Sequence, residues 1–280
     1  MAIHAVRTAL CPKPYTTKAL PRGRRTVVDL LGIVSKRAKP GHLICDIDMS
    51  WATGVRARLL DSGDKVTITA FFLKAIALAQ RSNPLSRTEV LPWGKRVMYK
   101  DIVAGFTVER DVEHKPTVFF GEISDPDSKS LTDLASELKN YTVDPIAKVA
   151  SMQKQYLFSG LPGILRKVIL NLAIKIPSSR LAFQKSTFGL TSLGKYGIQT
   201  VLSPCICTST FTVGSQEDRA VASEGVLYIK PMITMVLSFD QRVLDPIVAL
   251  GFLNDVKALM EGGMSSHIPS EVREKLPAIF

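Results

Sequence analysis

Two periods of apolar and polar residues alternate along this chain, and each change of period marks an element. Val27, Leu30, Leu31 and Val34 recur at three- and four-residue steps. That spacing predicts a helix over Thr26–Ala38, with Thr26 or Arg25 near its cap and Pro40-Gly41 beyond its end. The step then shortens to two. Leu43, Cys45, Ile47 and Met49 alternate with His42, Ile44, Asp46 and Asp48, as in a half-buried strand over His42–Ser50. Lys65–Pro84 reads as an apolar helix buried on most sides and closed by Asn83-Pro84. Strands are expected over Asp101–Val108 and Pro116–Phe120, about a turn at Asp111–Lys115. Ser130–Tyr141 is helical, with Ser130 and Asp133 at the spacing of a capped start. Further strands are expected in "STFGLTSLGKYG", "TSTFTVGS" and "GVLYIKPMITMVLSFDQ", and a last helix in "DPIVALGFLNDVKALMEG" stops at Gly262-Gly263. Glu217, Asp218 and Glu224 fall in expected loops, where solvation accounts for them.

The segment Gly160–Lys185 stands apart. Pro162 suits a first helical turn and Pro177 forbids continuation. Between them Ile164, Leu165, Val168, Ile169, Leu172 and Ile176 form one wide stripe, while Arg166, Lys167 and Lys175 interrupt the remainder. Such a helix either packs on its own domain or a neighbouring subunit, or it is basic and amphipathic. In the second case residues 161–176 touch a membrane surface or a partner, or line an acyl-chain entrance.

Alternating helices and strands without a Gly-rich phosphate loop or a dinucleotide fingerprint predict one α/β domain around a mixed sheet. Residues 1–23 read as an N-terminal arm, 24–264 as the domain with an insertion at 160–185, and 265–280 as a tail. At 280 residues, 46% apolar and 22% charged, the composition is that of a soluble globular protein. Four cysteines, Cys11, Cys45, Cys205 and Cys207, are too few and too irregular for a disulfide framework or a zinc site. Buried free thiols in a cytoplasmic protein, with no metal, are expected. The net charge of +11 asks for an anionic partner. No nucleic-acid motif is present, which leaves a membrane surface, a phosphorylated ligand such as a coenzyme A thioester, or an acidic carrier protein.

Several segments in order carry a resemblance: "RRTVVDLLGIVSKRAKPGHLICDIDMS", "KVTITAFFLKAIALAQRSNP", "DIVAGFTVERDVEHKPTVFF", "KSLTDLASEL", "TFGLTSLGKYG" and "LSFDQRVLDPIVALGFLNDV". Together they resemble the catalytic domain of the dihydrolipoyl acyltransferases of 2-oxoacid dehydrogenase complexes, over roughly residues 24–262. The most diagnostic pieces are "GLTSLG" and "SFDQRVLD". The resemblance implies a chloramphenicol acetyltransferase-like α/β fold, a mixed sheet flanked by helices, and a homotrimer with its active site between subunits. It implies no tightly bound cofactor; a coenzyme A thioester or acyl carrier serves as cosubstrate.

In that family the motif Asp-His-Arg-x-x-Asp-Gly supplies a histidine base, and a serine in a Ser-Leu-Gly-type turn binds the oxyanion. Carried over residue by residue, Thr191 falls at the oxyanion position, with Ser192 beside it. Asp245 falls at the structural aspartate, to be paired with Arg24 or Arg25. Gln241 stands where the histidine is expected, and Pro246 where glycine follows. His42, at the start of the first strand, is a candidate for the substrate channel or a strand-edge residue. His4, His114 and His267 are poorer substitutes for the base, and Asp240 reads as structural.

An amide has no usable pKa near neutrality, so Gln241 only donates and accepts hydrogen bonds. General-base assistance is worth about 10²- to 10⁴-fold, whereas oxyanion stabilisation and positioning are separate terms. The sequence therefore supports a stand-alone acyltransferase acting without a histidine base, on an acceptor such as an amine. The alternative is an inactive pseudo-acyltransferase retained as a trimeric scaffold or binding subunit.

Overall fold

One long strand, β9 (Val226–Asp240), meets three neighbours. Its C-terminal stretch lies between β1 (Pro40–Asp48) and β7 (Ser209–Val213), antiparallel to both, and its N-terminal stretch pairs with β8 (Glu217–Ser223). β6 (Phe188–Ser192) runs parallel to β7 and to β4 (Val103–Val112), and β5 (Lys115–Ser124) forms an antiparallel hairpin with β4. The resulting mixed sheet has seven strands, in the order β1-β9-β7-β6-β4-β5 with β8 on β9. This is a computed structural model, and it describes residues 19–91, 94–112, 115–183 and 185–273. A separate ribbon pairs β2 (Thr88–Val90) with β3 (Arg96–Met98).

The main core lies on one face of the sheet, under α2 (Ser50–Asp61), α3 (Ile68–Ser82), α4 (Leu131–Val143) and α8 (Pro246–Ala258). Phe71, Phe72, Phe188, Phe211, Phe239 and Phe252 are all fully buried there. α3 earns its central place by composition: Thr67 accepts from Ala70 N at its start, and Ala, Phe, Leu and Ile follow with one lysine. That lysine, Lys74, is buried and donates to the carbonyls of Asp127 and Lys129, each at 2.6 Å. Ser130 and Asp133 form the expected capping box at the head of α4. On the opposite side, α1 (Arg22–Arg37) buries Leu30 and Val34 in a small cluster with Cys205.

The outer edge of β5 is closed by side chains rather than by another strand. The Gln155 amide takes both backbone groups of Phe120, and the Tyr141 hydroxyl takes both of Glu122. An edge so occupied offers no template for further pairing.

Several expectations need correction. α1 begins at Arg22 after Pro21, so Thr26 and Arg25 lie inside the helix rather than capping it. α2 and α5 (Ala150–Ser159) were not legible in the pattern. The β4–β5 hairpin is longer and tighter than expected; His114 lies outside the described residues, as do His4, Cys11 and the last residues of the tail. Glu217 and Asp218 belong to strand β8, not to a loop. The reason is the turn: Glu224 and Gly225, at φ 52° and 80°, form a tight two-residue connection whose twist matches the paired strands.

Pro177 ends α6 (Gly163–Lys175) and opens a further helix, α7 (Pro177–Phe183). The face of α6 turned inward is not the apolar stripe. Arg166, Leu170 and Ala173 are buried, while Ile164, Val168 and Leu172 are 83%, 58% and 53% exposed. Arg166 decides this orientation. Its guanidinium grips Asp29 of α1 at 2.8–2.9 Å, both side chains nearly inaccessible, and also donates to Leu161 O.

A buried pair that loses one partner leaves an uncompensated charge. Arg166→Met is therefore expected to cost about 3 kcal/mol or more, read as a lower thermal unfolding midpoint. Asp29→Asn combined with Arg166→Met should recover most of that loss; equal loss in the single and double variants would rule out the charge-pair account.

Candidate active site

β6 carries Thr191 because of the strand's alternation. Phe188 and Leu190 enter the main core, so Gly189 and Thr191 point to the other face. Register sets Thr191 level with Thr212 on β7, and Gly189 level with Thr210. Thr191 lines a small cavity of about 50 Å³ with Gly105, Thr107, Gly121, Ser186 and Thr210. Glycines keep it open: a Cβ on Gly105 would come within 2.7 Å of Ser186 Cβ. The Thr191 hydroxyl has no hydrogen-bond partner among the described residues. That of Thr210 is buried and also unpartnered, so two hydroxyls stand uncommitted beside one cavity. Ser192 points the other way and lines a larger cavity of about 770 Å³, with Lys65, Lys139 and Lys195 on its walls. Phe106, Thr107 and Leu190 border both spaces.

The second half of the candidate site is the turn after β9. Asp240 is 5% exposed, and its carboxylate accepts from Lys39 N, Arg242 N and the Arg242 guanidinium, the last at 2.5–3.0 Å. This set of bonds fixes the turn, as expected of a structural aspartate. Gln241 then lies exposed against β1: its backbone N–H reaches Lys39 O, and its side-chain amide donates to Pro40 O at 3.1 Å. Asp245 caps α8, accepting from Ile247 N and Val248 N. Within the chain it forms no ion pair with Arg24 or Arg25, a correction to the expected pairing; Arg25 instead donates to Leu20 O. This N-cap aspartate is already satisfied by two backbone donors, and no ion pair to it forms among the described residues.

The chain does not bring Thr191 and Gln241 together. Through Thr212, Thr191 is level with Val236; Gln241 lies five residues farther on and two strands across, about 20 Å away. His42 shares the sheet face of Thr191, because register runs from Gly189 through Thr210 and Ser238 to His42. Its Nδ1 is 2.9 Å from the Ser238 hydroxyl. A cavity of about 330 Å³ opens beside the Asp240 turn, between Arg37, Arg180 and Arg242 and the wall formed by Ala173 and Cys205. Burial and the neighbouring Arg242 hold the Arg37 guanidinium below its ordinary value.

Comparison with known proteins adds what the chain is similar to. Residues 165–267 match the family model described as 2-oxoacid dehydrogenases acyltransferase (catalytic domain). The succinyltransferase component of the 2-oxoglutarate dehydrogenase complex of Bartonella vinsonii subsp. berkhoffii is 25% identical over 224 residues, covering 77% of this chain and 46% of that protein. Over those stretches this chain is similar to that catalytic domain. It spans about half the length of the curated relative it matches. The fold agrees. The cubic core of a pyruvate dehydrogenase multienzyme complex superposes with a TM-score of 0.69, at 20% identity, over 95% of this chain and 98% of the other. A probable dihydrolipoamide acetyltransferase from Listeria monocytogenes gives 0.66, at 18% identity, over 95% and 99%.

Against this fold, the sequence named Thr191, Ser192, Asp240 and Gln241 but missed Thr210. The only available signal was the pairing of "TSTFTV" beside "FGLTS", which requires the strand order. The cysteines are set apart from the chemistry. Burial pushes the thiols of Cys45 and Cys207 up to about 11 and that of Cys205 up to about 12. A thiol whose pKa is raised stays protonated, and so unreactive, at neutral pH. At pH 8, all three should resist a thiol-specific disulfide reagent in the native protein and react after unfolding. Fast native labelling of Cys205 would contradict the placement.

Proposed function

We propose that this chain is the protomer of an oligomeric acyltransferase, moving an acyl group from a coenzyme A or carrier-protein thioester to a nucleophile such as an amine. One site would take Thr191 from one protomer and Gln241 from the next. The observation that carries this reading is the Thr191 hydroxyl, unpartnered beside the orphaned Thr210 hydroxyl, in a fold shared with acyltransferase cores. Because about 20 Å separates Thr191 from Gln241 in one chain, a common site needs a protomer boundary. The β8–β9 hairpin suits that assembly, with Leu227 and Ile229 about two-thirds exposed at its tip. The large cavity beside Ser192 offers Lys65 and Lys139 to the anionic part of a thioester donor, while Lys195 there is paired with Glu109 at 2.8 Å and Asp64 also lines the wall.

In the proposed step the acceptor nitrogen attacks the thioester carbonyl. A C–N bond forms, the C–S bond breaks, and the departing thiolate takes the proton released by the ammonium. The Thr191 hydroxyl donates to the oxyanion of the tetrahedral intermediate. Gln241 orients the acceptor through its amide and moves no proton. Asp240 and Arg242 hold the turn that presents it. A thiol or alcohol, which must lose its proton during attack, is the poorer acceptor here.

The rival reading, an inactive scaffold, draws on a specific observation. The Gln241 amide is already tied to Pro40 O, and Nδ1 of His42 is tied to the Ser238 hydroxyl.

Product formation followed by mass spectrometry, with acyl thioesters and amine or alcohol acceptors, separates the two. Under the acyltransferase reading Thr191→Ala lowers kcat by about 10²-fold, as for loss of one oxyanion donor, while Thr191→Ser retains most of it. Unchanged turnover in Thr191→Ala would refute the role; assembly without any turnover would favour the scaffold. The pH profile is a further check. With no imidazole base, kcat/KM for an amine should show no inflection near pH 6.5 and should rise with pH until the amine is fully deprotonated.

A further inference from the structure

Between Asp144 and Glu217 the sequence contains no acidic residue; every charged side chain in that stretch is lysine or arginine. The stretch includes α5, α6 and α7, which pack together with the start of α1, itself free of acids before Asp29. Asp29 is spent on Arg166, and Arg180 is neutralised by Glu89 of β2. Lys154, Lys167 and Lys175 have no acidic partner among the described residues. Such a bias is more than net charge, because it concentrates one sign on one lobe of the fold.

Three faces of α6 divide the work. Arg166, Leu170 and Ala173 face inward. Ile164, Val168 and Leu172, four residues apart, form an exposed aliphatic stripe, extended by Leu165 and Ile176. Lys167, Asn171 and Lys175, also four residues apart, run beside it. Leu157 of α5 and Leu181 of α7 are exposed as well, at 60% and 40%. Ile164, at 83% exposed, stands proud of the helix surface. The lysines are placed to reach past the stripe with their apolar stems. No helix among the described residues is long and apolar enough to cross a membrane. A helix lying flat needs no such length.

We propose that the outward face of α6, with Leu157 and Leu181, docks on the surface of an anionic lipid membrane. A second copy of the same acid-free surface would bring lysines against lysines, whereas anionic headgroups complement them, and acyl chains accept the aliphatic stripe. The buried Arg166–Asp29 pair anchors the docking helix to the fold. Ala173 and Arg180, from α6 and α7, also wall the 330 Å³ cavity next to the Asp240 turn, so docking would set that cavity close to the lipid. This inference stands on charge and exposure and does not depend on the acyl-transfer reading.

The test is sedimentation of the full chain, in the assembly state in which it purifies, with vesicles of phosphatidylcholine alone or mixed with phosphatidylglycerol. The expected result is binding to the mixed vesicles only, weakened by salt. Val168→Glu with Leu172→Glu should reduce the bound fraction at least about tenfold. Lys167→Glu with Lys175→Glu should do so by about tenfold at low salt. These positions are exposed, and unchanged circular dichroism checks the fold. Absence of vesicle binding, or equal binding to both compositions, would overturn the proposal. So would a change of assembly state in Val168→Glu with Leu172→Glu, which would assign the face to contacts between copies.

Discussion

Strand β9 must satisfy three neighbours with one continuous backbone, and the rest of the structure follows from that demand. Its alternation sends Ile233, Met235, Leu237 and Phe239 into the main core, so register against β1 and β7 cannot slip without exposing all four. Where the strand ends, Asp240 is buried, and a carboxylate there must find donors. It finds Lys39 N, Arg242 N and the Arg242 guanidinium, which tie the end of β9 to the start of β1. The position of Gln241 is a consequence of these bonds. So is its distance from Thr191, because the intervening strands have fixed spacing. A chemistry that uses both residues must therefore be completed between chains.

What could be read from the sequence was what local spacing encodes. The two-residue alternation of β1, the capping box at Ser130 and the buried run of α3 are properties of adjacent residues, and each appeared close to where it was expected. α2 was not legible, because "SWATGVRARLLD" buries only Trp51, Ala52, Val55 and Leu59 amid arginines and a glycine. β8 was hidden by its charges: Glu217, Asp218 and Arg219 look solvated until β9 is known to lie alongside. Long-range pairing was the missing information in each case. The same holds for the site. Motifs pointed to Thr191 and Gln241, but Thr210 acquires meaning only when β7 is laid beside β6. Asp245 and the arginines of α1 were paired on the resemblance alone, and the observed cap of α8 uses that carboxylate otherwise.

The candidate chemistry rests on separating functions that a histidine base usually joins. An oxyanion donor needs only a free hydroxyl beside the reacting carbon; Thr191 offers one, half-buried, on a small glycine-bounded cavity. Orientation of an acceptor needs a rigid turn, and Asp240 with Arg242 supplies one. Proton removal needs a titratable group, which Gln241 is not. His42 sits on the same sheet face as Thr191 but three strands away, and its Nδ1 is engaged by Ser238. In the proposed reaction the burden of deprotonation would move to the acceptor. That selects for nucleophiles already carrying a free lone pair, and it makes acceptor choice a matter of pKa as much as of shape.

The helical hairpin of α6 and α7 shows how one buried charge can invert a pattern. By periodicity alone the aliphatic stripe of α6 belongs inside. Turning it inward would send Arg166 to solvent and leave Asp29 buried on α1 without a partner, a loss of a few kcal/mol. Burying the stripe would gain about 1.5–3 kcal/mol per large aliphatic side chain, which is competitive with that loss. Yet the chain buries Arg166 and exposes Ile164, Val168 and Leu172. The orientation adopted pairs the buried charge and leaves apolar surface outside. That choice is costly for an isolated protomer in water and becomes favourable once something apolar covers the stripe. Lysines flanking that stripe, with no acid nearby, narrow what the cover can be.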